Sequence, residues 1–182
     1  MKFAKENLNL ENALDKEWII TNGIGGFASS TIIGANTRKY HGLLVAPIIT
    51  PARRTLILSK IDESIEIDGR KYDLFTNIGK SYISQGFKYQ ESFEKTYMPT
   101  FVYKVEGVEI TKTICMEHFK NTVCVYYKIK NGKSRAKLTL APIMNFRDVH
   151  GMSNNHFYNI EQQIHENKIE VKIDGGNSIY MN

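Results

Sequence analysis

Hydrophobic and polar residues alternate with a period of two along most of the chain after Glu17. This is the period of a β-strand that buries one face. The pattern predicts strands near residues 17–21, 27–33, 41–47, 54–61, 64–68, 71–75, 87–95, 100–106, 108–117, 122–130, 134–146, 157–164, 168–173 and 178–181. Turn-forming pairs such as Asp68-Gly69 and Asn131-Gly132, which supply the positive φ of tight hairpins, separate these runs. The segment from Leu8 to Leu14 favours a turn or two of helix.

The number of short strands decides the fold class. Many short strands with regular turns are typical of an antiparallel sandwich or barrel, and a small barrel does not hold so many. We therefore predict an all-β fold, a large antiparallel β-sandwich of two packed sheets that forms a single domain over residues 1–182. Because only residues 178–182 follow the turn at 174–177, we expect the sandwich to be truncated at its C-terminus.

The hairpin of strands 108–117 and 122–130 can be aligned residue by residue, with its turn at 118–121. In this register one face is apolar and the other polar, which supports the pairing. The apolar pairs are Ile110–Ile129, Ile114–Val125 and Met116–Val123, and the polar pairs are Glu109–Lys130, Thr111–Lys128 and Thr113–Tyr126. Cys115 lies opposite Cys124 on the polar, outer face. A disulfide suits this arrangement, whereas a reducing compartment favours the two free thiols that we expect.

Composition places the chain among globular proteins. Its 182 residues suffice for one core, and 42% hydrophobic with 24% charged residues argue against a disordered or fibrous chain. The N-terminus lacks the apolar stretch of a secretory signal. The longest apolar run, Leu43 to Ile49, is too short to cross a membrane. We expect a soluble cytoplasmic protein with no membrane partner.

The glycines of residues 17–27 invite comparison with a phosphate-binding loop. Such a loop needs a Lys-Ser/Thr pair after its last glycine, or a strand–turn–helix unit. Neither follows Gly26, since residues 28–33 continue as a strand. We interpret Gly23, Gly25 and Gly26 as part of a turn between two strands, with Trp18 half-buried at its base.

A first segment with candidate binding chemistry comprises Asn36, Arg38, Tyr40 and His41, just before an apolar strand. An arginine fork and a tyrosine ring can hydrogen-bond to a sugar and stack on it. The alternative is a structural cluster, in which Arg38 caps carbonyl groups and His41 is a partly buried histidine with its own partners.

A second segment comprises Arg147, Asp148 and His150, at the end of the strand 134–146. It suits an Asp–His proton relay or a polar binding edge, and a surface Arg–Asp pair is the alternative. A nucleophile motif is missing, one Asp beside one His is too few ligands for a metal, and no pattern brings two carboxylates together for glycoside chemistry. We therefore predict no catalytic residue, no metal site and no cofactor in this chain.

Basic residues cluster in the stretch 118–147, which contains seven lysines and arginines and no acid. Such a stretch can follow a phosphate backbone, and the net charge of +5 permits a polyanionic partner. The aromatic pattern of an RNA-binding sheet and a helix-turn-helix signature are both missing. We interpret the stretch as a solvated hairpin face and expect no nucleic-acid partner.

Several motifs occur together in one order. They are Glu17-Trp18, Thr21-Asn22-Gly23, Gly25-Gly26-Phe27, the run from Asn36 to Val45, Leu58-Ser59-Lys60, Asn121-Thr122-Val123 and the run from Phe146 to His150. Their order and spacing resemble the N-terminal domain of bacterial and archaeal glycogen debranching enzymes of the amylo-α-1,6-glucosidase type. The Arg-x-Tyr-His-Gly-Leu-Leu segment that begins at Arg38 is the most specific part, and Phe146 to His150 is the second.

The resemblance implies a large β-sandwich that precedes an (α/α)₆ catalytic barrel, and that barrel is not in this chain. It implies that the barrel carries the catalytic carboxylates, so we expect this chain alone to be inactive, although some family descriptions assign the N-terminal part a 4-α-glucanotransferase role. We predict an accessory domain that binds and orients α-glucan and braces the barrel of the same polypeptide in glycogen breakdown. The predicted glucan contacts are Asn36, Arg38, Tyr40, His41, Arg147, Asp148 and His150. The alternatives are a purely structural interdomain module and an autonomous carbohydrate-binding module.

Overall fold

The computed structural model describes residues 1–49, 53–133, 135–152, 158–174, 176 and 178–182. They form two compact units, Met1–His150 and Gly151–Asn182. Across the described residues, every helix is too short or too polar to span a membrane. The prediction that residues 1–182 form a single domain stays a prediction.

Strands dominate both units, and each strand pairs antiparallel with its neighbours. In chain order, β1 to β14 are Lys2–Ala4, Glu17–Thr21, Phe27–Thr31, Gly42–Ile49, Arg53–Ile67, Arg70–Asp73, Gln90–Lys95, Pro99–Val105, Val108–Met116, Val123–Lys130, Ala136–Asp148, Ile160–Ile164, Ile169–Ile173 and Ile179–Met181. Helical structure in the described part of the chain comprises α1 (Leu10–Ala13) and 3-10 helices at Lys5–Asn7 and Gly86–Tyr89. The predicted all-β class is confirmed.

The predicted break between the strands 54–61 and 64–68 is wrong, because β5 runs through both. The residues at the expected break, Asp62 and Glu63, include no glycine or proline. Each carboxylate has a lysine partner, with Asp62 Oδ1 3.0 Å from Lys60 Nζ and Glu63 Oε1 2.5 Å from Lys112 Nζ. Because these charges are paired, the strand can carry them without turning toward solvent.

Other boundaries differ near the ends of elements. The predicted strand 87–95 begins as the 3-10 helix Gly86–Tyr89, where a Cβ on Gly86 would lie 2.2 Å from the Leu74 carbonyl group, so only glycine fits. The pattern does not predict β1, which pairs with β7. The predicted helical turn is confirmed as α1, and its cap, Asn9 Oδ1, accepts a hydrogen bond from the Asn12 amide at 2.9 Å. The predicted strand starts at 134 and 157 and part of the turn at 174–177 fall outside the described residues.

Two sheets form the first unit. One has the strand order β1-β7-β8-β9-β10, and the other has the order β11-β5-β4-β3-β2 with β6 on β5. Their facing sides share one hydrophobic core, to which Phe93 and Phe101 contribute from the first sheet and Trp18 and Ile65 from the second. This packing confirms the predicted sandwich. Trp18 is 3% exposed, not half-buried as predicted, because its indole Nε1 reaches inward and donates to the Thr31 carbonyl at 3.1 Å.

The hairpin of β9 and β10 has the predicted register, with Ile114 opposite Val125 and Cys115 opposite Cys124. The inner face of this hairpin also carries Lys112, opposite Tyr127. Polar groups on an inner face need partners inside the protein. Both find theirs on the opposite sheet, at Glu63.

The second unit is a three-stranded sheet of β12, β13 and β14 in that order. Val171 and Ile173 on the central strand are buried. Glu170, on the same strand, accepts a hydrogen bond from the Ser178 hydroxyl, and this bond lowers the pKa of the Glu170 carboxyl. The sheet thus combines a small apolar face with a hydrogen-bonded polar one.

Candidate functional site

The two polar segments that the sequence singles out meet in the first unit. Residues 36–41 lie in the connection between β3 and β4, and residues 147–150 lie at the end of β11. Tyr40 Oη lies 3.3 Å from His150 Nδ1 although the residues are 110 positions apart. Their ring centroids are 5.7 Å apart at an interplanar angle of 77°, an edge-to-face pair. We call Lys39, Tyr40, Arg147, Asp148 and His150 the edge cluster.

Main-chain hydrogen bonds hold the edge cluster together. The Arg147 guanidinium donates to the carbonyl of Lys39 across the two segments, and to the carbonyls of Asp148 at 3.1 Å and Val149 at 3.3 Å within its own segment. Lys39 Nζ donates to the His150 carbonyl at 3.0 Å. Val149, between these residues, is buried against Val45 and Leu56. The cluster therefore has a fixed backbone with a hydrophobic anchor.

Asp148 and His150 contact each other through a side chain and the main chain. Asp148 Oδ1 accepts from the His150 amide at 2.9 Å, which fixes the turn at the end of β11. The imidazole of His150 contacts Tyr40 instead. This arrangement favours a polar binding edge over an Asp–His proton relay.

Arg38 and His41 share a different partner, Glu17 on β2. The Arg38 Nε donates to Glu17 Oε1, and His41 Nε2 lies 3.5 Å from the same oxygen. His41 Nδ1 accepts from the Thr37 amide at 3.1 Å, so the hydrogen of the neutral ring is on Nε2. His41 is 4% exposed, and this burial lowers its pKa while the Glu17 carboxylate opposes the change.

Asn36 is exposed, and both ends of its amide bond to the protein. Its Oδ1 accepts from the Ser30 hydroxyl at 2.8 Å, and its Nδ2 donates to the Ser59 carbonyl at 2.9 Å. Among the seven predicted glucan contacts, Asn36, Arg38, His41 and Arg147 thus have identified partners that shape the fold. Tyr40, Asp148 and His150 are exposed members of the edge cluster, and Asn36 and Arg38 are exposed outside it.

Lys39 also belongs to the edge cluster, although it is not among the predicted glucan contacts. Its ammonium group lies 5.1 Å from the centre of the Tyr40 ring and donates to the His150 carbonyl. Lys39 stands between two predicted residues in the chain. The residues around Lys39 in the sequence do not predict its contact with His150, because this contact depends on long-range packing.

A second polar group, which we call the interior cluster, comprises Glu63, Lys112 and Tyr127. Glu63 Oε1 accepts from Lys112 Nζ at 2.5 Å and from the Tyr127 hydroxyl at 2.6 Å. Burial, and then the Glu63 carboxylate, raise the pKa of Tyr127 well above its usual range. Because each charged group is paired and buried, the cluster links the two sheets and does not offer a free acid or base. The one signal for it is that Lys112 and Tyr127 interrupt an apolar face in the predicted register.

The glycine-rich segment forms the predicted turn between β2 and β3, and Asn22 ties it to the turn between β9 and β10. Asn22 is wholly buried and donates from Nδ2 to the Lys120 carbonyl at 2.9 Å. Its Oδ1 accepts from the amides of Ile24 at 3.1 Å and Gly26 at 2.8 Å. The Asn22 carbonyl also accepts from the Phe119 amide at 2.7 Å. These bonds fix the two turns to each other.

The turn between β9 and β10, which Asn22 holds, carries Phe119 at its surface. This residue has a φ of 60°, which is uncommon for a residue other than glycine, and its side chain is 64% exposed. The ring lies 3.9 Å from the His118 ring, centre to centre. A Cβ on Gly23 would lie 2.7 Å from His118 Cε1, so the glycine leaves room for this pair. The turn therefore holds an exposed aromatic ring in a fixed position.

The basic stretch 118–147 meets acids from neighbouring strands. Lys130 Nζ lies 2.7 Å from Glu109 Oε1, and Lys137 on β11 lies opposite Glu66 on β5. This pairing favours the interpretation as a solvated face. Among the described residues, no group of three His, Cys, Asp or Glu side chains is placed to hold a metal ion.

Comparison with known protein families matches residues 16–182 to the family described as glycogen debranching enzyme N terminal. Searches of curated proteins and of solved structures find no match. The family match covers nearly the whole chain, including both segments of the edge cluster and both turns that Asn22 connects. The chain therefore belongs to the glycogen debranching enzyme N-terminal family.

Proposed function

We propose that this domain binds and orients an α-glucan at the edge cluster and braces the catalytic barrel of the same polypeptide during glycogen breakdown. The observation that carries the proposal is the Tyr40–His150 contact. Two segments far apart in sequence bring their exposed rings together, and Arg147 holds the backbone beneath them. A purely structural role would not require this pair to be exposed.

The chemistry of the edge cluster suits a neutral sugar. The ring of Tyr40 is 40% exposed and offers an apolar face for the C–H groups of a glucose ring. The Lys39 ammonium and the second oxygen of the Asp148 carboxylate add hydrogen-bonding groups beside it, and hydrogen bonds to charged groups are the stronger ones. One such site binds weakly, and the many chain ends of glycogen supply a high concentration of ligand for it.

The test of glucan binding is native gel electrophoresis of the chain with and without glycogen in the gel, at two salt concentrations. We expect glycogen to retard the chain at both, and Tyr40→Ala to abolish the retardation. Tyr97→Ala is the matched control, because Tyr97 is 89% exposed and lies in the turn between β7 and β8. Equal retardation of the chain and Tyr40→Ala would overturn the proposed site. Retardation lost at the higher salt would indicate charge attraction and not sugar binding.

The bracing role is assigned to Phe119. An aromatic ring held at a fixed position loses little conformational freedom on docking. We expect Phe119→Ser to lower the melting temperature of a polypeptide that joins this domain to its barrel, and to leave that of the 182-residue chain unchanged. Tyr97→Ser serves as the control. An equal effect of Phe119→Ser on the chain alone would assign Phe119 to the fold of this domain.

The same proposal places hydrolysis outside this chain. Asp62 and Glu63 are adjacent carboxylates, and both are paired with lysines in or beside the sandwich interior. A glycosidase needs two carboxylates that face one sugar across its scissile bond. We expect the chain to release no glucose from a branched dextrin, and measurable release would assign it catalysis of its own.

A further inference from the structure

The two cysteines of the chain lie directly opposite each other on neighbouring strands. Cys115 on β9 pairs with Cys124 on β10, and both are free thiols. Cys115 is half-buried and Cys124 is exposed. The chain contains two cysteines in total, so each has the other as its one possible partner within the chain.

The hydrogen-bond pattern of the hairpin fixes the separation of their backbones. The Glu117 amide donates to the Thr122 carbonyl at 3.1 Å, which makes this an opposed, hydrogen-bonded pair. Because such pairs recur at every second residue of an antiparallel ladder, Cys115 and Cys124 form the next one. Their Cα atoms are therefore about 5.5 Å apart. Disulfides bridge Cα separations of roughly 4.4–6.8 Å, so this pair lies within the range that a disulfide spans. The Cβ atoms of a hydrogen-bonded pair lie farther apart than those of most disulfides, so the two strands must adjust slightly as the bond forms.

The two thiols also interact, and the interaction changes the pKa of Cys115. Burial raises the pKa of the Cys115 thiol, and the neighbouring Cys124 sulfur raises it further through charge and hydrogen bonding. Cys124 meets solvent first because its side chain is exposed. Cys124 is thus the thiol that a reagent in solution reaches more readily, and Cys115 is its neighbour on the adjacent strand.

We propose that Cys115 and Cys124 form a reversible modification site, a cross-strand disulfide made by exchange with a low-molecular-weight disulfide. The Cys124 thiolate attacks one sulfur of that disulfide and releases one small thiol, which leaves a mixed disulfide on Cys124. The Cys115 thiolate then attacks the Cys124 sulfur and releases the second small thiol. The protein loses two protons and two electrons, and the small disulfide gains both as two thiols.

The crosslink would act on the turn that presents Phe119. It closes a loop over residues 115–124, which includes the turn held by Asn22. Closing this loop restricts the unfolded chain, so we expect the melting temperature to rise by roughly 5–10 °C. β10 lies at the end of its sheet in the described part of the chain, and the crosslink pins it there.

The experiment equilibrates the chain with mixtures of oxidised and reduced glutathione, quenches it with an alkylating agent and measures the intact mass. We expect a species that has lost two hydrogens and takes up no alkyl group. We expect this species to run as a monomer on a non-reducing gel. The single variants Cys115→Ser and Cys124→Ser should each give only a mixed disulfide with glutathione. A covalent dimer, two glutathione adducts on one chain, or two alkylated cysteines at every ratio would each overturn the proposal.

A second arm shows whether the fold brings the thiols together. In concentrated urea the same loop must close from a disordered chain, so its effective concentration falls. We expect the folded chain to form the disulfide at a glutathione ratio at least ~10-fold more reducing than the unfolded chain does. Disulfide formation at the same glutathione ratio in the folded and unfolded chains would mean that the fold does not bring the two thiols together.

Discussion

The interior cluster and the edge cluster are both built from charged and aromatic side chains, but their surroundings differ. In the interior cluster, Glu63 and Lys112 are 4% and 8% exposed, and Glu63 Oε1 accepts from both Lys112 and Tyr127. In the edge cluster, Tyr40 is 40% exposed, and Lys39 and Arg147 donate to main-chain carbonyls. The interior cluster satisfies the hydrogen-bonding groups of its own side chains. The edge cluster instead holds its backbone in place, so that its exposed side chains are fixed at the surface.

This difference separates stability from recognition. A buried ion pair resists the loss of one partner, because the remaining charge has no water to solvate it. An exposed ring can be removed at little cost, because water replaces it. Substitutions in the interior cluster should therefore change the free energy of unfolding, and substitutions of exposed members of the edge cluster should change binding alone.

Removing one charge from the interior cluster should have the largest effect. We expect Glu63→Gln to lower the free energy of unfolding by about 3–5 kcal/mol, because Lys112 would remain buried without its counterion. Urea unfolding followed by circular dichroism measures this loss. The triple variant Glu63→Leu, Lys112→Met, Tyr127→Phe should recover most of it, since apolar groups of similar size need no partners. A triple variant as unstable as Glu63→Gln would show that packing, not the charge, carries the effect.

Arg147→Ala should have an intermediate effect, because Arg147 positions the edge cluster from beneath. Its guanidinium bonds to the carbonyls of Lys39, Asp148 and Val149. We expect a loss of about 1–2 kcal/mol in the free energy of unfolding, together with weaker retardation by glycogen. Arg70→Ala on β6 is the control, since Arg70 is exposed and lies outside both clusters. Unchanged retardation of Arg147→Ala by glycogen would show that Arg147 does not contribute to glucan binding.

A structural feature can be predicted from the sequence when it depends on residues that are close together in the chain. The register of β9 and β10 follows from one turn and one apolar face, so Ile114 and Val125 are placed correctly. The partner of Lys112 lies on the other sheet, and no pattern along the chain predicts which strands of two sheets face each other. The break expected at Asp62 and Glu63 is wrong in part for the same reason, because the lysine that pairs with Glu63 lies on the other sheet.

The edge cluster shows the same limit. Tyr40 and His150 are both selected from the sequence by their chemistry and their place at strand ends. Their meeting depends on how β11, β5 and β4 lie side by side, and on the register shifts between them. Local chemistry therefore predicts candidate residues, and tertiary packing decides which of them face one ligand.

Tyr40→Phe makes a smaller change in the edge cluster. It keeps the exposed ring and removes the hydroxyl that lies 3.3 Å from His150 Nδ1. We expect a change within about 0.5 kcal/mol in the free energy of unfolding, because the site is exposed. Retardation by glycogen should be reduced but retained, since the apolar face of the ring remains. Complete loss of retardation would assign recognition to the hydroxyl, and an unchanged value would assign it to the ring.

The smallest effect is expected at His41, the buried member of the first polar segment. Its pKa in the folded chain lies below the ordinary value of 6.5, so the unfolded chain takes up a proton first as the pH falls. The stability from keeping this ring neutral is complete above that value and is lost as the pH falls below it. His41→Asn keeps an acceptor for the Thr37 amide and does not titrate. We expect the free energy of unfolding of the chain, relative to that of His41→Asn, to fall between about pH 7.5 and 5.5. Parallel pH profiles for the two proteins would mean that His41 keeps an ordinary pKa, and that burial at this position is balanced by Glu17.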